Sequence, residues 1–386
     1  MFKKLLLFII GLGIGVAVFV TALGYFAKSS IDAEKFLNPL GLEKPEAIGF
    51  LPYWLVDREG DDFFKDLDEI SYFGLTIDKD GTIMKRAKPT ETEPGWLMLQ
   101  SKKIASILKN AKEKRINRSL VIFSGDQETI DLLMADPVKH AENLINEISP
   151  IIDEYGFEGV NIDIESVTIA SESARQSFTS FMKTVDEELN RKNETVELSI
   201  DVSPTAMLKP YLIDVKAISE YVDKVIFMTY DFHYPGSSVT GAVAPNNGAG
   251  VTAEFDTETS IKLALDILEP RKIILGVPLY GYEWETLKDD PASAVIPGSG
   301  ITASNLRVEK LLKECATCSA QFDPIAKESY LIYKNEETNT YHQIFYPDER
   351  AIEEKVKLVK KYKLGGLALW ALGYEGETIL DPLEKL

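Results

Sequence analysis

Residues 157–165 read FEGVNIDIE, in which Asn161, Asp163 and Glu165 alternate with Val160, Ile162 and Ile164. Successive side chains of an extended chain point to opposite faces, so the three polar groups share one face and the three aliphatic groups the other. A polar edge strand is a poor reading, because the run is internal to the chain pattern and its second face is wholly apolar. Three polar groups facing the inside of a closed sheet are costly unless they meet one another or a ligand. Glu165 then stands at the C-terminal end of the strand, with Asp163 one layer below. Carboxyls this close raise one another's pKa, which keeps one protonated near neutral pH and available as a general acid.

Runs of the same kind lie on both sides. AIGFLPY (47–53), EISYFGLTI (69–77), SLVIFS (119–124), ELSIDV (197–202), KVIFMTY (224–230), KIILGVPL (272–279) and GGLALWAL (365–372) join GVNIDI (159–164) as eight strand candidates. Several are apolar nearly throughout, as parallel strands buried on both faces are. Between them, apolar residues at i, i+3, i+4 spacing predict helices over 96–113, 138–155, 171–191, 258–269 and 350–363. Repeated alternation of strand and helix predicts an α/β fold, the (β/α)8 TIM barrel, for which about 250 residues is typical.

Residues 45–386 exceed that length, and the surplus falls between the seventh and eighth strands. Residues from about 284 to 346 are too many for one crossover helix. A helical pattern over 302–314, opening near Ser304, and the β-like SYLIYKN and TYHQIFY predict a small α+β insertion beside the barrel mouth. Cys315 and Cys318 lie inside it. A CxxC of this kind suits a local disulfide, a redox pair or half of a metal site. With no second CxxC, zinc is disfavoured and a neighbouring pair or surface disulfide is preferred.

Residues 5–27 form an apolar run without a charge, preceded by Lys3 and Lys4. At about 1.5 Å per residue, such a helix spans a hydrocarbon core of about 30 Å. This predicts one N-terminal transmembrane helix, an uncleaved signal anchor over residues 1–27 with its lysines on the cytoplasmic side. A stalk (28–44) and the barrel (45–386) would follow, outside the cell membrane. Secretion after signal cleavage near Val20-Thr21-Ala22 is the alternative.

The chain has 386 residues, with 42 Lys+Arg against 61 Asp+Glu and a net charge of −19. So acidic a chain is a poor binder of phosphate backbones, and no nucleic-acid partner is expected. Hydrophobic residues at 45% exclude global disorder, and two cysteines cannot staple a fold this large, so a buried core must hold it. No HExxH, P-loop, GxSxG or Rossmann fingerprint is present, so no metal or other cofactor is expected.

EGVNIDIE (158–165) resembles the DGxDxDxE signature of family 18 glycoside hydrolases, the chitinase family, with Glu158 at the first Asp position and Asn161 at the second. Met228-Thr229-Tyr230-Asp231 is similar to the family's MxYD, and GGLALW (365–370) to its last strand. LGVPLYGYEW (275–284) and GFLPYW (49–54) are similar to the seventh strand with its exit and to the first. The form with Asn resembles the branch of spore-cortex and peptidoglycan N-acetylglucosaminidases. The resemblance, which covers residues 45–386, implies a retaining, substrate-assisted hydrolase of β-linked N-acetylglucosamine polymers, peptidoglycan or chitin-like. It implies Glu165 as the acid, Asp163 and Tyr230 orienting the substrate's acetamido group, Asp231 contacting the sugar, and Trp370 as the floor beneath it. Asn161, which cannot share a proton as the family's Asp does, is grouped with the substrate-binding residues.

Tyr53 and Tyr280, near strand ends, are further candidates for lining the cleft, as are Trp54, Tyr282 and Trp284. Asp201 either joins the inner polar network or caps the following loop, and His233 is assigned no role. The loop at 235–250 is expected to border the cleft. The competing reading is a catalytically silent, glycan-binding lectin-like barrel. Such relatives lose the acid, which this chain keeps.

Overall fold

The computed structural model describes residues 44–58, 64, 66–192, 195–315 and 318–386. The expected membrane segment (1–27) and residues 28–43 of the expected stalk lie outside the described residues. Among the described residues no helix is long and apolar enough to cross a membrane.

Eight parallel strands close into a barrel: β1 (Glu46–Pro52), β2 (Glu69–Thr76), β3 (Asn117–Ser124), β4 (Gly159–Ile164), β5 (Glu197–Val202), β6 (Lys224–Phe227), β7 (Ile273–Pro278) and, after an insertion, β13 (Gly366–Trp370). The first and last strands pair, Glu46 opposite Gly366 and Gly49 opposite Leu369, so the sheet has no edge. Alternation divides the side chains as period two requires. Val160, Ile162 and Ile164 belong to the same buried cluster as Phe178, Phe181 and Val185 of helix α5 (Glu172–Lys192), outside the barrel. A separate inner cluster holds Ile48, Phe50, Phe73, Val121, Ile226, Ile274 and Ala368.

The N-terminal end of the barrel is closed by charge. Lys224, the first residue of β6, reaches Glu46 at 2.6 Å, Glu197 at 2.7 Å and Glu69 at 3.5 Å, each the first residue of its own strand. Burial alone would lower the Lys224 ammonium, but the three carboxylates outweigh it and hold it above the ordinary lysine range. Glu158 serves the same end: its carboxylate takes the Arg118 backbone N–H at 3.0 Å and the guanidinium at 3.1 and 2.7 Å. The first position of the signature is therefore a structural ion pair, at the opposite end of β4 from Glu165.

Helix ends follow local chemistry. In α4 (Pro137–Tyr155), Asp136 caps the Lys139 N–H, Pro137 opens the helix, and Gly156 ends it in the left-handed region at φ 68°. The single helix expected over 96–113 is two, α1 (Pro94–Leu99) and α2 (Lys102–Lys114), because Ser101 is extended and its hydroxyl caps the Ile104 N–H. The helix expected over 258–269 is α7 (Thr257–Leu265). The alternation is also uneven, since only the four-residue α6 (Val215–Ile218) and a short 3₁₀ turn join β5 to β6.

The chain between β7 and β13 builds a five-stranded antiparallel sheet, starting at Tyr280 and so ahead of residue 284. Its strands are β8 (Tyr280–Thr286), β9 (Ile301–Ser304), β10 (Gln321–Asp323), β11 (Glu328–Asn335) and β12 (Thr340–Tyr346), in the order β9-β8-β12-β11-β10. Helix α8 (Asn305–Glu314), capped by Ser304, covers one face through Val308, which clusters with Ala303, Leu331, Ile344 and Tyr346. The other face gathers Tyr280, Tyr282, Trp284 and Phe345 with Val243 of the loop after β6. Cys315 and Cys318 are bonded to each other, with Cα atoms 5.3 Å apart.

Candidate active site

The polar row of β4 faces inward at the C-terminal end of the barrel. Asp163 and Glu165 line a cavity of about 320 Å³ together with Asp201, Tyr230, Asp231, Tyr280 and Trp370. That volume lies at the lower end of ligand pockets, about 300–1,000 Å³. Glu165 leaves the sheet at its last hydrogen bond, its N–H donating to Ser124 O at 2.8 Å, and its residue opens to solvent at the rim. The cleft walls first, and the Asp231 carboxylate second, raise its pKa above the ordinary glutamate value.

Asp163 is 3% exposed, and its Oδ1 has no hydrogen-bond partner in the protein. Burial drives its pKa well up, and the charges of Asp201 and Glu165 add to that. Asp201, 5% exposed, is also pushed well up by burial, against which the Asn161 amide acts. Two coupled buried acids cannot both ionise freely, so the site holds its protons more tightly than ordinary carboxyls do.

Asn161 is the exception among the expected sugar contacts. It is fully buried and does not line the cavity. Its Nδ2 donates to Ser199 Oγ at 3.0 Å and to Asp201 Oδ1 at 3.1 Å. The reason is depth: Asn161 sits one layer below Asp163, and its amide is turned sideways into the neighbouring strand β5.

The sixth strand was expected to run to Tyr230 but stops at Phe227. Met228 N–H still donates to Val202 O at 2.9 Å, and the Thr229 hydroxyl ties to Gly276 O at 2.7 Å, which steers Tyr230 into the cavity. Burial, followed by the Asp201 and Asp163 charges, holds the Tyr230 phenol well above its usual pKa, so it remains a neutral donor. Asp231 has a left-handed φ of 59°. Its Oδ1 accepts from the Tyr280 hydroxyl at 2.6 Å and the Tyr282 hydroxyl at 2.8 Å, both on β8 of the inserted sheet. Burial raises Asp231 and these two bonds oppose the rise.

Trp370 ends β13 at the centre of an aromatic cluster, edge-on to Phe73 at 5.0 Å and Phe50 at 5.9 Å. Tyr53 is not in the main cavity. It lies across Glu165, in a second cavity with Trp54, Phe73, Glu93 and Trp370. Sequence reading undervalued Asp201 and Tyr282 and did not single out Glu93. For Tyr282 a signal existed: in YGYEW it shares a face with Tyr280 by period two. For Glu93 only its place before Pro94 pointed to a helix cap, and nothing pointed to the cleft. His233 packs away from the acids, its Nδ1 2.7 Å from Ala242 O. Among the described residues no His, Cys, Asp and Glu cluster is arranged to hold a metal.

Barrel enzymes carry their chemistry at this end of the sheet, and a cavity walled by carboxyls places the chain among them. The model of the glycosyl hydrolases family 18 matches residues 46–375, and the chain belongs to that family. YdhD of Bacillus subtilis (strain 168), whose name describes a sporulation-specific glycosylase, is 28% identical over 235 residues, 60% of this chain. That match spans only 50% of YdhD. The cortical fragment-lytic enzyme of the same organism is 25% identical over 354 residues, 90% of this chain and 72% of that one. Among solved structures, the Bacillus cereus spore cortex-lytic enzyme SleL shares the fold with a TM-score of 0.68 at 21% identity, over 88% of this chain and 74% of that one. The Ostrinia furnacalis Group IV chitinase in complex with allosamidin shares it with a TM-score of 0.74 at 21% identity, over 89% and 98%.

Proposed function

We propose that the chain hydrolyses β-linked N-acetylglucosamine polymers, peptidoglycan or chitin-like, with retention of configuration. The observation that carries this reading is Asp163, buried with its Oδ1 unpartnered, lining one cavity together with Glu165 and Tyr230. Names of relatives that act on spore cortex and chitin point the same way.

In this reading the nucleophile is the substrate's own 2-acetamido oxygen, the exception to the two-carboxylate scheme. Glu165, which burial and Asp231 make a weaker acid than an ordinary glutamate, donates its proton to the glycosidic oxygen as the C1–O bond breaks. The acetamido oxygen bonds to C1, giving a cyclic oxazolinium ion. Tyr230 donates to that oxygen, and Asp163 accepts the acetamido N–H and balances the positive charge. Holding an internal nucleophile in line removes an entropic barrier worth about 7–11 kcal/mol in the best cases. Glu165, now a carboxylate, takes a proton from the water that attacks C1; the bond from C1 to the acetamido oxygen breaks, the free acetamido group reforms, and the acid is restored. Trp370 supplies an apolar face for the sugar ring. The deciding assay is Glu165→Gln on N-acetylglucosamine oligosaccharides. Turnover should fall by at least about 100-fold, as loss of a general acid does; an unchanged rate removes the assignment.

We also propose that residues 1–27 anchor the chain in the cell membrane and that the barrel lies outside it. The Cys315–Cys318 disulfide supports an oxidising compartment. Fractionation and protease protection of intact cells test this placement, and a barrel found in the cytosol overturns it.

A further inference from the structure

Asp201 is a buried acid that the mechanism above leaves idle, although it lines the main cavity together with Asp163. The register that sets Asn161 of β4 opposite Ser199 of β5 brings Asp163 and Asp201, two residues further along each strand, to the same inward-facing level. Neighbouring strands run about 4.8 Å apart, so carboxyls at one level are within hydrogen-bond reach of each other.

Asp163 needs such a neighbour. Its Oδ1 is buried and takes no hydrogen bond within the protein, so a sugar in the cavity does not reach it. On the far side of Asp163, β3 presents Phe123, and on the far side of Asp201, β6 presents Ile226, neither with anything to donate. Below them, the Asn161 amide is given to Ser199 and Asp201. The other titratable groups facing the pair are Glu165, Tyr230, Asp231 and Tyr280, and Tyr280 gives its hydroxyl to Asp231. Among the described residues lining the cavity there is no Lys, Arg or His. Two adjacent negative charges without a cation are costly, and two neutral acids leave no charge to balance an oxazolinium ion. One proton between them avoids both.

We propose that Asp163 and Asp201 hold a single proton between them, carried on Asp201 and donated to Asp163 Oδ1, and that Asp201 is thereby a positioning residue for the reaction. The inference rests on the glycosidase reading above and deepens it. Asn161 sets the direction: its amide donates to Asp201 Oδ1, which leaves Oδ2 of Asp201 to carry the proton. The bonds then run one way, from Asn161 through Asp201 to Asp163, and each strengthens the next. The second oxygen of Asp163 remains to accept the acetamido N–H, and Asp163 carries the charge while its neighbour stays neutral.

The test uses the full chain and two substitutions. Asp201→Ala removes the donor, and Asp201→Asn puts an amide in its place. On chitotetraose, kcat should fall at least about tenfold in Asp201→Ala with KM within about threefold of wild type, and Asp201→Asn should recover part of the loss. The pH profile separates this from a packing defect. A shared proton steadies the Asp163 carboxylate, so the acid limb of kcat/KM should move to higher pH in Asp201→Ala, by at least about half a unit, and move less in Asp201→Asn. Were Asp201 only an ionised neighbour, removing its charge would move that limb to lower pH. A limb that stays in place or moves down overturns the inference. A second readout needs neither turnover nor a stable alanine variant. Infrared spectra of the substrate-free chain, labelled with isotopic aspartate, should show near neutral pH a protonated aspartate carboxyl that is missing from Asp201→Asn. A signal of equal size in both overturns this inference alone. No cleavage of chitotetraose or of purified peptidoglycan by the wild type overturns the glycosidase reading, and the infrared comparison then still decides the shared proton.

Discussion

The side-chain amide of Asn161 donates to Asp201 across the floor of the cleft, 3.1 Å from Nδ2 to Oδ1. It is the opposing influence on an acid that burial pushes well above the ordinary aspartate value. Asp163, on the layer above, has no such donor at its Oδ1 and is likewise pushed up. The chain therefore stores two strained acids under its active site.

That strain has a pH signature. An aspartate whose folded pKa lies above its unfolded value of about 3.9 binds more protons folded than unfolded. Its stabilising contribution is complete below pH about 4 and is lost as pH rises through the folded value. Asp201→Asn removes one such group. We expect its melting temperature to exceed wild type by at least about 2 °C at pH 7.5 and to match it near pH 4, with activity reduced. Calorimetric scans at the two pH values check this, and a gain of equal size at both speaks against it.

Asp231 links the inserted sheet to the acid. Tyr280 and Tyr282 hold its charge by hydrogen bonds, and that charge helps to raise Glu165. Removing both hydroxyls in Tyr280→Phe/Tyr282→Phe raises Asp231, leaves it more often neutral and relaxes its push on Glu165. The alkaline limb of the kcat/KM profile, where Glu165 loses its proton, should move to lower pH. A limb that stays in place or moves up contradicts the coupling.

Lys355 and Glu328 both grip Ala244, in the loop that follows β6. Glu328 accepts from the Val243 and Ala244 N–H groups at 2.6 and 2.8 Å, while Lys355 donates to Ala244 O at 2.5 Å and Thr257 at 2.8 Å. Both are fully buried, and burial pushes the carboxyl up and the ammonium down. Lys355→Met leaves the glutamate without its cation and should cost about 3–5 kcal/mol in denaturant unfolding. Adding Glu328→Gln should recover more than about 1 kcal/mol of that. Additive losses from the two substitutions would show that they act separately.

Trp370→Leu keeps apolar bulk against Phe50 and Phe73 but removes the flat face. Loss of stacking worth about 0.5–1.5 kcal/mol should lower kcat/KM on oligosaccharides by roughly two- to tenfold. Steady-state kinetics measure it, and an unchanged value would place the sugar elsewhere.

The barrel was legible because its strands carry aliphatic runs or strict polar–aliphatic alternation, and GVNIDI and ELSIDV match their strands end to end. Asp163, Glu165, Tyr230, Asp231, Tyr280 and Trp370 were readable as one site because a barrel gathers strand ends. Asn161 was misplaced because period two fixes the face of a residue but not its depth. The break at Ser101 was hidden because apolar spacing continues across it, while the cap that interrupts it is a single hydroxyl. Glu93 showed only the signal of a helix cap before Pro94, and no periodicity marked it as a neighbour of the cleft.

Hydroxyls from Tyr280 and Tyr282 fasten Asp231, yet they belong to the excursion between the last two barrel strands. Trimming that excursion to obtain a minimal catalyst, or grafting the barrel's loops onto a shorter scaffold, would strip out part of the proton-handling machinery. Protein engineers should treat the two as a single inheritable unit.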